Sequence, residues 1–292
     1  MKSLEGVGVA MVTPFDGNGN VDYNGLSSLT KHLIDNGADY LVVQGTTGES
    51  ATLNSDEKKE VLRKVKEVND GQLPIVLGIG GNNTAAVIEN IQSAELEGVS
   101  AILSASPYYN KPTQEGIYQH YKALAAVSPL PIILYNVPGR TASNISTDTT
   151  LRLARDFDKI IAIKEASADM DQVMEIIEKK PDEFMMISGE DALTLAITAC
   201  GGVGVISVVA NAYPKQFSEM VSSVRSGDLV TARTKHYLLL EFINLLFAEG
   251  NPGGIKSALK SKGICDDYLR LPLWPVSEQL AAKIAAKVKE IG

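Results

Sequence analysis

Ile160-Ile161-Ala162-Ile163-Lys164 is a short apolar run closed by a cation. Read as a strand, its alternate side chains share a face, so Lys164 should point the same way as Ala162 and Ile160, with Ile161 and Ile163 opposite. That places an ammonium at the lip of a core. Burying such a charge is costly unless it is paired: either the side chain snorkels its ammonium out at the strand end, or loss of the proton relieves the cost and leaves a nucleophilic amine.

Seven further runs of the same kind flank it: Val7 to Val12, Tyr40 to Val43, Ile75 to Leu77, Ala101 to Leu103, Ile132 to Tyr135, Phe184 to Ile187 and Val203 to Ser207. Between them lie amphipathic segments. Ser55 to Val68 carries Val61, Leu62, Val65 and Val68 at helical spacing, and Thr84 to Glu97 carries Val87, Ile88 and Ile91. Asn54 and Asn83 are suited to cap these helices, Asp169 and Asp171 to open another, and Gly37, Gly98 and Gly201 sit where helices should stop. Eight strands alternating with helices over short connections imply parallel pairing. Over this length they favour a (β/α)8 TIM barrel over an open doubly wound sheet. After Ser207 only helical patterns remain: Pro214 to Val224, Leu229 to Ala248, Gly254 to Lys260 and Val276 to Lys289. The expected organisation is therefore a barrel over residues 1–225 and a helical C-terminal extension over 226–292, packed on the barrel.

The chain of 292 residues has a formal net charge of −8, which disfavours nucleic acid and anionic membranes as partners and leaves a small metabolite. Cys200 and Cys265 lack metal-ligand spacing and are too few for a disulfide framework, so they read as reduced thiols and predict a cytoplasmic protein. Met1 to Val12 lacks the pattern of a signal peptide, and no segment approaches the roughly 20 apolar residues of a membrane span. His32, His120 and His236 form no ligand set and read as surface or packing residues. No Walker A or dinucleotide motif is present, and Gly201-Gly202-Val203-Gly204 is explained by a turn between helix and strand. No metal or organic cofactor is expected.

In such a barrel, chemistry collects at the C-terminal ends of the strands. Polar residues follow several of them: Gly45-Thr46-Thr47-Gly48-Glu49-Ser50 after the second, Ser106-Pro107-Tyr108-Tyr109-Asn110 after the fourth, Tyr135 at the end of the fifth, and Ser188-Gly189-Glu190-Asp191 after the seventh. The Gly-Thr-Thr-Gly loop can present backbone N–H groups and hydroxyls to a carboxylate or phosphate, or simply cap a helix. Tyr135 shares a face with Ile133 and should stand beside Lys164, either to relay protons or to satisfy a backbone group. Arg140, after Pro138-Gly139, offers a bidentate fork for a carboxylate.

Taken together, Gly45 to Ser50, Tyr135-Asn136-Val137-Pro138-Gly139-Arg140-Thr141 and Lys164-Glu165-Ala166-Ser167 closely resemble the dihydrodipicolinate synthase family. The resemblance covers nearly the whole chain, through Asn251-Pro252 and Leu271-Pro272-Leu273. That family belongs to the class I pyruvate aldolase superfamily, with N-acetylneuraminate lyase and 2-keto-3-deoxy sugar acid aldolases. The resemblance implies a (β/α)8 lyase that condenses pyruvate with L-aspartate 4-semialdehyde to give 4-hydroxy-tetrahydrodipicolinate, in the diaminopimelate route to lysine. It implies Lys164 as the Schiff-base residue and Tyr135 as the proton relay, linked through Thr46 to Tyr109 reaching in from a neighbouring subunit. Thr47 and the backbone at Ile206 would hold the pyruvate carboxylate, Arg140 the aldehyde substrate's carboxylate, and Gly189 would lie near the imine. A homo-oligomer follows, at least a dimer and commonly a dimer of dimers.

Arg140 separates this reading from a keto-deoxy sugar acid aldolase, and the complete set of reactive groups separates it from a non-catalytic metabolite sensor. The chain departs from the family at the site where lysine-sensitive members bind lysine. Ser50, Ala51, Asn82 and Tyr108 are retained there, but two histidines are replaced by Ser55 and Lys58 and a glutamate by Ala86. Weak or absent inhibition by lysine is expected. Asn251-Pro252-Gly253-Gly254 also departs from the family's Asn-Pro-Ile-Pro.

Overall fold

A computed structural model describes residues 4–292. The apolar runs become strands β1 (Gly6–Ala10), β2 (Tyr40–Val43), β3 (Ile75–Gly78), β4 (Ala101–Ala105), β5 (Ile132–Asn136), β6 (Ile160–Glu165), β7 (Met185–Ser188) and β8 (Gly204–Ser207). They pair in chain order, all parallel, and β8 closes on β1. Closure removes every sheet edge. The predicted (β/α)8 barrel is the observed fold.

Strand alternation divides the core in two. Tyr40, Val76, Leu103, Ile133, Ala162 and Ile206 fill the barrel interior, while Leu41, Ile102, Leu134, Ile163 and Val205 face the surrounding helices. One expected face is wrong. The register of β5 against β6 slips, with Ile132 opposite Ile160 but Ile133 opposite Ala162. The extra residue, Ile161, packs toward the interior, and Ile160 joins the outer layer. A bulge of this kind resets the alternation. From Ala162 onward the reading holds, and Lys164 lies opposite Tyr135.

Helices α1 (Tyr23–Asp35), α2 (Ser55–Asn69), α3 (Thr84–Ser93), α4 (Gln114–Val127), α5 (Pro138–Thr141), α6 (Thr147–Asp156), α7 (Met170–Lys179), α8 (Thr194–Ala199) and α9 (Pro214–Arg225) occupy the connections. Asn54 and Glu57 form a reciprocal capping box at the start of α2, and Asn83 and Asp169 cap α3 and α7. α3 ends at Ser93, short of the expected Glu97. Ala94 turns to an extended conformation, and the Glu95 carbonyl accepts from Lys66 Nζ at 2.7 Å instead of continuing the helix.

The C-terminal helices are α10 (Leu229–Phe247), α11 (Gly253–Ser261) and α12 (Glu278–Ile291). α12 begins two residues later than the apolar pattern suggested, because Ser277 supplies the cap. Tyr213 fastens this layer to α9: its ring meets Phe242 edge-on at 5.1 Å and its hydroxyl donates to the Val288 carbonyl at 3.1 Å. Between α11 and α12, Leu271 and Trp274 stand exposed. Among the described residues no helix is long and apolar enough to cross a membrane, and no group of three or more His, Cys, Asp or Glu residues could hold a metal ion.

Candidate active site

Lys164 and Tyr135 end the inward-facing rows of β6 and β5, and parallel pairing sets them side by side. Lys164 is 6% exposed and Tyr135 7%. The lysine Nζ lies 4.2 Å from the centroid of the tyrosine ring, a cation–π distance. The sequence expectation that these two residues meet at the barrel mouth is met.

Tyr135 opens onto a cavity of about 520 Å³ whose wall also includes Gly45, Thr46, Arg140, Thr141 and Asn251. Thr46 begins a 3₁₀ turn, Thr46–Gly48, directly after β2. Thr47 is buried, and its Oγ1 accepts a hydrogen bond from Asn251 Nδ2 at 3.0 Å. A hydroxyl that accepts in this way keeps its own proton to donate, as a substrate carboxylate requires. Arg140 sits on α5, a single turn after Val137, and its exposed side chain borders the cavity.

Directly behind the inward pair, the next residue on each strand faces outward. Asn136 Nδ2 donates to both carboxylate oxygens of Glu165, at 2.9 and 3.1 Å. Glu165 also accepts from Ser167 N at 2.7 Å and Gln172 Nε2 at 2.9 Å. Asn136 Oδ1 accepts from Ile145 N at 2.9 Å, which fixes the far end of the segment carrying Arg140. Burial pushes the Glu165 carboxyl above the usual range, against the pull of these hydrogen bonds. Gly189 is required by close approach. A Cβ there would lie 2.7 Å from that of Ala166 and 3.0 Å from the Glu165 carbonyl, which already accepts from Gly189 N.

Asp191 was not singled out from the sequence, although its segment was. Its Oδ2 accepts from Val208 N and Val209 N, both at 3.0 Å, pinning the turn that follows Ile206 and β8. Its Oδ1 has no hydrogen-bond partner among the described residues. Burial raises both Asp191 and Glu190, and the charge of Lys164 partly opposes the rise in each. Asn251 was also missed as a site residue, since nothing local to it signals a partner 204 positions away. Tyr109 does not line the cavity of its own chain. It is 87% exposed, with φ of 74°, at the tip of the segment after β4.

A family model described as the dihydrodipicolinate synthetase family matches residues 3–291. The chain is 49% identical over 291 residues to the 4-hydroxy-tetrahydrodipicolinate synthase of Flavobacterium psychrophilum, covering 100% of this chain and 99% of that one. Its fold superposes with a TM-score of 0.96 on dihydrodipicolinate synthase from Thermotoga maritima, at 41% identity, over 99% of this chain and 98% of that one. The chloride-inhibited dihydrodipicolinate synthase of Acinetobacter baumannii, solved with pyruvate, gives a TM-score of 0.96 at 39% identity over 99% of each chain. Family match, full-length identity and barrel geometry agree: the chain belongs to the dihydrodipicolinate synthetase family and has that family's lyase activity in lysine biosynthesis.

Proposed function

We propose that this chain condenses pyruvate with L-aspartate 4-semialdehyde through a Schiff base on Lys164, giving 4-hydroxy-tetrahydrodipicolinate and water. The observation that carries this reading is the buried Lys164–Tyr135 pair beside a cavity bordered by Arg140. Lys164 Nζ, as the free amine, adds to the ketone carbon of pyruvate, and water leaves as the imine forms. Thr47 and the Ile206 backbone hold the pyruvate carboxylate, with Gly189 alongside the imine. The protonated imine draws electrons from the adjacent carbon, so the methyl group loses a proton and an enamine results. The enamine carbon attacks the aldehyde, whose own carboxylate is gripped by Arg140. Finally the amine of the second substrate adds to the imine carbon, closes the ring and expels the Lys164 amine.

Tyr135 moves the protons at the imine carbon and passes them through the Thr46 hydroxyl to Tyr109 of a neighbouring subunit. The exposure of Tyr109, away from its own cavity, supports this placement and with it a homo-oligomer of at least two subunits, consistent with a dimer of dimers in the cytoplasm. The test is incubation with pyruvate followed by borohydride, read by intact-protein mass. The chain should gain one reduced pyruvate unit and lose activity. Lys164→Ala, with unchanged circular dichroism, should gain none. A trapped adduct in that variant would remove Lys164 from the mechanism. Turnover of keto-deoxy sugar acids in preference to the semialdehyde would move the chain to another branch of the superfamily.

A further inference from the structure

The segment of residues 251–270 grips the Gly45–Thr52 loop at successive points. Asn251 Nδ2 donates to Thr47 Oγ1. Lys256, on α11 and fully buried, places Nζ 2.5 Å from Glu49 Oε1, itself fully buried, and donates to the Tyr268 carbonyl at 2.8 Å. Glu49 Oε2 accepts from Arg270 N at 3.2 Å. The Arg270 guanidinium donates to the Thr52 carbonyl at 2.8 Å and grips Glu57 through two nitrogens at 2.5 and 2.8 Å. Lys256 and Arg270 also lie over the Phe15 ring, at 4.2 and 4.5 Å from its centroid.

The loop they hold is not one that would hold itself. Glu49 has φ of 51°, a left-handed conformation that a residue with a Cβ adopts only under constraint from its surroundings. The Thr46–Gly48 turn has no side-chain cap at its N-terminus, and at its other end the Thr13 hydroxyl donates to the Gly48 carbonyl at 2.7 Å. A fully buried ion pair is poor at adding stability compared with apolar packing of the same volume, so its better use is to specify one geometry. Here the pair fixes Glu49, two residues along the loop from Thr47.

We propose that Lys256, paired with Glu49, is a positioning residue for pyruvate binding, and that the C-terminal helices act through it and Asn251 to hold the Thr46-Thr47 loop in its carboxylate-binding form. This rests on the assignment of Thr47 to the pyruvate carboxylate. Neither Lys256 nor Asn251 forms a bond to the reacting atoms in this scheme, so their loss should weaken pyruvate capture and leave the chemistry of bound pyruvate intact.

The experiment is borohydride trapping of the full chain across a range of pyruvate concentrations, with no aldehyde present, alongside thermal unfolding. The variants are Asn251→Ala and the double replacement Glu49→Gln with Lys256→Met, which leaves no unpaired buried charge. In both, the pyruvate concentration for half-maximal trapping should rise about tenfold or more, with the maximal extent of trapping unchanged. A folded double variant with a lower melting temperature but unshifted half-saturation would show that the pair is only structural, and would overturn the proposal. Should the double variant not fold, Asn251→Ala decides: it leaves the ion pair in place, and an unshifted half-saturation overturns the proposal. Thr47→Val is the control on the underlying assignment. An unshifted Thr47→Val refutes the carboxylate role of Thr47 itself, and the two failures are distinguished by the variant in which they occur.

Discussion

Tyr135 and Lys164 sit opposite one another because β5 and β6 are adjacent and, past the bulge, their inward-facing rows run in register. Removing only the relay hydroxyl, in Tyr135→Phe, should keep the packing and cut kcat by roughly 10²–10⁴-fold, the usual worth of a positioned acid–base group. A stopped assay at saturating substrates reads this directly. Arg140→Ala should raise the KM for the semialdehyde by about 10- to 100-fold, as expected for lost charge-assisted hydrogen bonds of about 1.5–3 kcal/mol, while pyruvate trapping stays normal. These residues were legible in the sequence because each is a polar residue at or just after the end of an apolar strand. Asn251, Lys256 and Asp191 were not. Their roles depend on partners brought near by the fold, in the case of Lys256 and Glu49 across 207 positions, and no local pattern encodes such a meeting.

The strands were legible for a related reason. Parallel barrel strands are buried on both faces and read as unbroken apolar runs, whereas the bulge at Ile161 and the early end of α3 depend on register and on a lysine from another helix. The polar knot behind Tyr135 and Lys164 binds these elements together. Asn136→Ala would strip Glu165 of two hydrogen bonds and leave the Ile145 N–H without its acceptor, at a cost of about 1–3 kcal/mol per buried unsatisfied group. Urea unfolding should show that loss. The packing of α4 against α3 has a pH signature. His120 is buried, with Nδ1 at 2.9 Å from Thr84 Oγ1, and burial pushes the imidazole down from 6.5 to about 4. The unfolded chain therefore takes up this proton near pH 6.5 while the folded chain resists until about pH 4. The histidine's contribution is fully present above pH 6.5 and declines as acid is added down to about 4, by up to roughly 3 kcal/mol. His120→Gln should flatten the pH dependence of unfolding across that window; an unchanged slope would show that the imidazole is not held neutral.

For the molecule as a whole, the cavity extends from Tyr135 past Ser50, Ala51 and Lys58 to Tyr108. Its lining carries a single carboxylate, Glu49, already committed to Lys256. A free amino acid's ammonium would find no spare acid there and would meet the like charge of Lys58. Steady-state rates should therefore be insensitive to lysine, and strong inhibition at sub-millimolar lysine would defeat that expectation. On the proposed placement of Tyr109 in a neighbouring subunit's site, Tyr109→Phe should slow turnover in the intact oligomer, and dilution to isolated subunits should do the same. The chain also carries the means to watch this happen. It has one tryptophan, Trp274, 77% exposed and adjoining Leu273, which shares the cavity wall with Tyr108. If subunits meet over this face, the indole passes from water into a protein interface. Its emission then shifts to shorter wavelength and loses access to a soluble quencher such as iodide, so association can be followed in unlabelled enzyme, at working concentration, by light alone.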